Sequence, residues 1–146
     1  MILKVMKTRE GARVPERATQ GSAGFDLCAC IDAPLVIEGR SSAVVDTGIA
    51  IALPGPECAA FVFARSGLGI KHGIGLLNGV GVIDSDYRGE IRVGLVNQFD
   101  EPYTVEPGER IAQLIVLPVP AFTVELTCAL DETARGTGGF GSTGKA

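Results

Sequence analysis

The chain has 146 residues, 13 Lys plus Arg against 17 Asp plus Glu for a formal net charge of −4, and 46% hydrophobic residues. That length predicts one globular domain, and an acidic balance with no Lys/Arg cluster excludes general nucleic-acid binding, which needs a basic surface. Twenty glycines and eight prolines spread along the whole length leave little room for long helices, so an all-β architecture is expected.

In chain order, short alternating or apolar runs between turn residues predict strands over 2–6, 25–30, 34–37, 43–53 and 58–63. Further strands are predicted over 80–83, 90–99, 103–105, 110–119 and 122–130. About ten short strands suggest a sandwich or jelly roll. The clearest alternation sets Phe122, Val124, Leu126, Cys128 and Leu130 on one face and Thr123, Glu125 and Thr127 on the other, predicting one packed and one wet face. After Asp131 the chain turns glycine-rich and unable to bury a core, which predicts a single β domain over 1–131 and a flexible arm over 132–146 that orders when something binds it.

No run approaches 18 apolar residues, and residues 1–10 carry Lys4, Lys7 and Arg9 without the apolar core of a signal peptide. A cytoplasmic protein without a membrane partner is expected. Cys28, Cys30, Cys58 and Cys128 lack C-x-x-C spacing and are read as reduced thiols. With one histidine, His72, a zinc site of neighbouring residues cannot be assembled, so any metal should be a hard cation. His72, between Lys71 and Gly73, is read as a solvated turn residue without a role.

Two glycine motifs in the arm fail on context. Residues 136–141 match G-x-G-x-x-G but lack the βαβ unit of a dinucleotide fingerprint, and residues 139–145 spell most of a Walker A motif with no helix to follow. What survives is closely spaced backbone N–H groups with Ser142, Thr143 and Arg135, a set able to wrap an oligophosphate. A plain disordered tail is favoured by composition alone.

Arg65-Ser66-Gly67-Leu68-Gly69 offers a guanidinium, a hydroxyl and flexible backbone, a phosphate cradle or equally a tight turn. Arg110 and Gln113 should point to opposite faces by strand alternation, so a shared ligand would need a bulge or an end position between them. The segment 78–90 packs Asn78, Asp84, Asp86 and Tyr87 into hairpin-like glycine spacing. Those residues suit a general base, a magnesium contact or ring stacking, although a lone D-x-D is more often a surface turn whose aspartates cap their own backbone. Asp26, among apolar residues at a strand's start, needs charge or hydrogen-bond partners.

Five segments stand in one order: AGFDL at 23–27, RSGL at 65–68 with Lys71 and Gly73, NGVGVIDSDYRGEI at 78–91, GERIAQL at 108–114 and RGTGGFGSTG at 135–144. Together they resemble the trimeric dUTPase family over nearly the whole chain. The resemblance implies a distorted jelly-roll-like β domain in a three-fold homotrimer, each active site drawing on more than one subunit. It implies Mg2+-dependent hydrolysis of dUTP to dUMP and pyrophosphate, limiting uracil incorporation into DNA and supplying dUMP for dTMP synthesis.

By the same correspondence Asp84 is the general base for in-line attack on the α-phosphorus. The backbone over 78–83, including Asn78, Gly81, Val82 and Ile83, binds uracil, and Tyr87 stacks beneath the deoxyribose. Arg65, Ser66, Gly67, Arg110 and Gln113 contact the phosphates, while Asp26 touches the water shell of magnesium. The arm closes over a neighbouring subunit's site, Phe140 and Gly141 at the base and Arg135, Ser142 and Thr143 at the phosphates. Ala64, Gly69 and Phe25 depart from common family residues without removing a reactive group. A dCTP deaminase of the same fold and a non-catalytic nucleotide-binding or regulatory trimer are the alternatives.

Overall fold

The computed structural model describes residues 1–139. Phe140, Gly141, Ser142 and Thr143, the arm positions expected at the substrate, lie outside the described residues. The elements are β1 (Lys4–Lys7), β2 (Phe25–Cys28), β3 (Leu35–Ile37), β4 (Ser42–Asp46), β5 (Ile49–Ala52) and β6 (Cys58–Ala64). There follow α1 (Ser66–His72), β7 (Ile74–Leu76), β8 (Gly81–Ile83), β9 (Arg92–Asn97), β10 (Tyr103–Val105) and β11 (Arg110–Pro118).

Every strand pair is antiparallel, in a four-stranded sheet ordered β2-β11-β6-β8, a three-stranded sheet β4-β9-β7, and two ribbons, β1-β5 and β10-β3. Strands adjacent in sequence fall in different sheets, the interleaving of a jelly roll rather than of a simple meander. One core draws on all of them: Leu27, Ala60, Val62, Ala112 and Leu114 from the larger sheet, Val45, Ile74, Val93 and Leu95 from the smaller, and Ile37, Ile49 and Val105 from the ribbons. Strand β9 shows the reason in its pattern, since Val93, Leu95 and Asn97 are buried and the residues between them less so. Asn97 is buried but satisfied: its amide donates to the carbonyls of Ile37 and Glu101, and its oxygen accepts from the N–H of Phe99.

Three expectations are corrected. The run 43–53 is two strands, broken at Thr47 and Gly48, where Gly48 sits at φ 67° and a Cβ would come within 2.6 Å of the Ala12 Cβ. The break carries the chain from the β9 ladder to the β1 ladder, a bend that only glycine takes without strain. The segment after Arg65 is a helical turn, α1, closed by Gly73 at φ 68°, although its two internal glycines argue for a loop. His72 is its last residue, exposed, with its ring 5.0 Å from that of Tyr103.

The strand over 122–130 does not form, and neither of its faces is packed. Phe122, Val124, Leu126 and Leu130 are 85, 93, 99 and 87% exposed. Pro118 ends β11, Pro120 follows, and the alternating run finds no ladder among the described residues. A strand needs a neighbour for its backbone groups and a surface for its apolar face, and the described residues supply neither. All four cysteines are free thiols, Cys58 buried and Cys128 exposed.

Candidate active site

The first group of site residues hangs from β8, an edge strand whose only ladder partner among the described residues is β6. Its outward backbone groups are therefore available to a ligand. The turn before it is set by Gly79 at φ 71°, whose N–H donates to the Leu76 carbonyl, and by the Val80 N–H on the Asn78 carbonyl. Glycine at position 81 keeps the strand close to Val62, since a Cβ there would lie 3.1 Å from the Val62 Cβ and 3.7 Å from Asn78 Nδ2. Beyond β8 the chain turns back, the Tyr87 N–H bonding the Asp84 carbonyl at 3.2 Å. Asp84 is exposed, and Tyr87 is 46% exposed with its hydroxyl donating to the Glu90 carbonyl at 3.1 Å.

Asn78, Gly81, Val82, Ile83, Asp84 and Tyr87 meet in one cleft of about 230 Å³, walled by Val62, Leu76, Ile91 and Val93. Amide, carboxylate and ring thus face one space, with apolar walls, the composition of a small-molecule site.

A second group gathers on the larger sheet. Asp26, only 12% exposed, holds Arg110 Nη1 at 3.1 Å and Arg65 Nε at 3.4 Å, one on each carboxylate oxygen. Arg65 also donates through Nη1 to the Arg110 carbonyl at 3.1 Å. Its Nε is buried with no hydrogen-bond partner, because 3.4 Å to Asp26 is an ion pair but a poor hydrogen bond.

The β11 register explains how Arg110 joins Gln113. Arg110 pairs with Cys28, Ala112 with Leu27 and Gln113 with Asp26, so Ile111 is the extra residue of a bulge. Since Cys28 and Asp26 share a face, so do Arg110 and Gln113. Ser66 and Gly67 open α1 beside Arg65 and are exposed, and a Cβ on Gly67 would meet nothing within 4 Å. Asp26, Arg65 and Arg110 line a broad cleft of about 840 Å³ with Arg13, Arg17 and Glu109.

The two clefts have no lining residue in common. Among the described residues the hairpin group and the arginine group line separate clefts. Arg135, exposed, lines neither cleft and donates through Nε to the carbonyl of Gly138, three residues on, at 2.9 Å.

Two carboxylates escaped the sequence reading. Glu90 lines the hairpin cleft and accepts from the Gly48 N–H at 2.8 Å and from Thr8 Oγ1 and Arg9 Nε at 3.1 Å each. Its burial opposes ionisation, yet the Gly48, Arg9 and Thr8 donors outweigh it and hold its pKa below the ordinary value. Glu109, beside the bulge, accepts from the Tyr103 hydroxyl and from the Glu106 N–H. Burial first, then that hydrogen bond, push the Tyr103 phenol well above its usual pKa. Both acids stand in the quoted segments, but the partners of Glu90 are distant in sequence. Among the described residues no group of three or more His, Cys, Asp or Glu converges, and no helix is long and apolar enough to cross a membrane.

Comparison with known proteins places this geometry in context. The dUTPase family model matches residues 10–144. The deoxyuridine 5'-triphosphate nucleotidohydrolase of Idiomarina loihiensis is 49% identical over 145 residues, covering 98% of this chain and 96% of that protein. That of Desulfitobacterium hafniense is 55% identical over 132 residues, covering 90% and 87%. Among solved structures, the dUTPase of Staphylococcus bacteriophage 80alpha with dUPNHPP is similar at a TM-score of 0.88 and 26% identity, covering 99% of both chains.

Proposed function

This chain belongs to the dUTPase family and hydrolyses dUTP, and we propose that it does so with Asp84 as general base and with sites completed between subunits of a homotrimer. The observation that carries the mechanism is the hairpin cleft, which sets the Asp84 carboxylate beside the Asn78 amide, the free edge of β8 and the Tyr87 ring. The products are dUMP and pyrophosphate, which limits uracil incorporation into DNA and supplies dUMP for dTMP synthesis.

Uracil pairs with the outer backbone groups of Gly81, Val82 and Ile83 and with the Asn78 amide, much as it would with a complementary strand, and cytosine presents the wrong donor pattern. The narrow cleft leaves no room for the thymine methyl, and Tyr87 beneath the sugar excludes a ribose 2′-hydroxyl. The Asp84 carboxylate takes a proton from the water that attacks the α-phosphorus in line, and pyrophosphate leaves with the bond electrons.

Arg65, Arg110, Gln113, Ser66 and the backbone at Gly67 hold the phosphates and stabilise the charge that develops on them. Open space around Gly67 supports this, because nothing in the chain's own packing requires glycine there. Asp26 orients both guanidinium groups. A magnesium ion bound to the triphosphate would neutralise its charge, and Asp26 would be the residue to reach its water shell.

Separation of the two clefts supports the trimer: a base-binding hairpin and a phosphate-binding cluster that do not meet in one chain meet across a subunit boundary. The exposed apolar row of 122–130 supports it too, as a surface that an adjacent subunit covers on the way to delivering the arm. Phe140 then stacks on uracil over Gly141, and Arg135, Ser142 and Thr143 reach the phosphates. The cytoplasm is the compartment that suits free thiols and a nucleotide substrate.

The test is pyrophosphate release with Mg2+ from dUTP, dCTP, dTTP and UTP, for the intact chain and Asp84→Asn. Selective dUTP turnover that collapses in the variant is expected. Undiminished turnover in Asp84→Asn would overturn its assignment as the base.

A further inference from the structure

We propose that Glu90 is the positioning residue for Tyr87, and that its carboxylate sets how well the site distinguishes deoxyribose from ribose; this rests on the reading of Tyr87 as the floor of the sugar site. A Cβ on Gly89 would lie 2.3 Å from the Tyr87 hydroxyl, so the ring folds over that glycine. Among the described residues its hydroxyl has one hydrogen-bond partner, the Glu90 carbonyl.

Where that carbonyl stands is decided by the Glu90 side chain. The carboxylate is 18% exposed and accepts three donors from two separate segments, Thr8 and Arg9 beyond β1 and Gly48 between β4 and β5. Arg9 is itself braced, its Nη2 lying 2.7 Å from Asp46 Oδ2. The next residue is clamped as well: the Ile91 N–H donates to the Ile49 carbonyl at 2.7 Å, and the Ile91 carbonyl accepts from the buried Thr47 hydroxyl at 2.6 Å.

The end of the hairpin is therefore pinned to the turn at 47–49 by backbone and carboxylate together. Tyr87 hangs from the pinned end. Exclusion of one hydroxyl depends on a ring's position to a fraction of an ångström, because a wall that yields stops excluding. Loosening Glu90 should let the ring tilt and admit the 2′-hydroxyl, with the hairpin's base-reading edge on β8 left in its ladder with β6.

The experiment compares kcat/KM for dUTP and for UTP on the same preparations of the full chain, carrying Glu90→Gln, Thr8→Val or Tyr87→Ala. The ratio of the two constants cancels any loss of folded enzyme, so a residue that only stabilises the fold leaves it unchanged. The expected result is a fall in the dUTP/UTP ratio for Tyr87→Ala, a fall of roughly tenfold for Glu90→Gln, and a smaller one for Thr8→Val. A ratio that falls in Tyr87→Ala but stays at the parent value in Glu90→Gln overturns the role of Glu90 alone. A ratio unchanged in Tyr87→Ala overturns the reading of Tyr87 and the role of Glu90 with it. If Glu90→Gln does not fold, Thr8→Val decides, and an unchanged ratio there counts against the proposal.

Discussion

Arg110 and Gln113, three residues apart on β11, lie on the same face of the sheet because the bulge at Ile111 absorbs the odd residue between them. Regular alternation would have sent one of them into the core side of the sheet. The bulge thus puts two polar groups on one face of the sheet, of which Arg110 lines the arginine cleft, while Ile111 and Ala112 both stay buried.

Asp26 is the common partner of the two arginines in that group, so Asp26→Asn should weaken both folding and substrate binding. We expect a loss of about 1–2 kcal/mol of stability, less than for a fully buried pair because Arg110 is half exposed. KM for dUTP should rise as Arg65 and Arg110 lose their orientation. Thermal unfolding and steady-state kinetics on one preparation measure both effects, and an unchanged KM would remove Asp26 from the substrate site.

Mixing two inactive chains tests whether the clefts complete one another across subunits. Asp84→Asn and Arg65→Ala, unfolded together and refolded at equal amounts, should recover activity in about a quarter of sites if each site takes the two residues from different chains at random. Sites built within one chain would recover none. Pyrophosphate release before and after mixing is the readout.

Gly48→Ala should cost about 2 kcal/mol or more, since it combines a left-handed backbone with a Cβ 2.6 Å from that of Ala12. Asn97→Leu should cost about 2–4 kcal/mol, because it strips partners from the carbonyls of Ile37 and Glu101 and from the Phe99 N–H. Urea unfolding gives both values, and neither residue touches the substrate groups.

Glu90 supplies a pH dependence of stability. Its folded pKa is held below the ordinary 4.5, so the folded state binds fewer protons than the unfolded chain in that region. The stabilisation is fully present above 4.5 and is lost as pH falls below it through the folded value. The gap in Tm between the parent chain and Glu90→Gln should therefore be widest near neutrality and close on acidification. A gap that stays constant from pH 7 to about 3 would contradict the linkage.

Most strands were legible because their apolar periods match the faces they bury; β9 is an example. The misreadings share a physical origin. Thr47 and Gly48 look like part of one apolar run, and only the approach of Ala12 shows why the strand must bend there. Segment 122–130 has a strand pattern with no partner strand among the described residues. The hairpin residues announced themselves by spacing, whereas Glu90 did not, since its importance lies in Thr8, Arg9 and Gly48, about 40 to 80 positions away. Nor does any local pattern reveal that Asp84 and Arg65 occupy different clefts.

The bare row of Phe122, Val124, Leu126 and Leu130 also bears on how the protein is made. In the homotrimer proposed above, a newly released chain would carry an adhesive stripe until it met its own kind, and the last step of maturation would be second order in protein concentration. Dilution would slow that step, and crowding with unrelated nascent chains would divert it, which makes the abundance of the polypeptide itself a determinant of how much active enzyme appears.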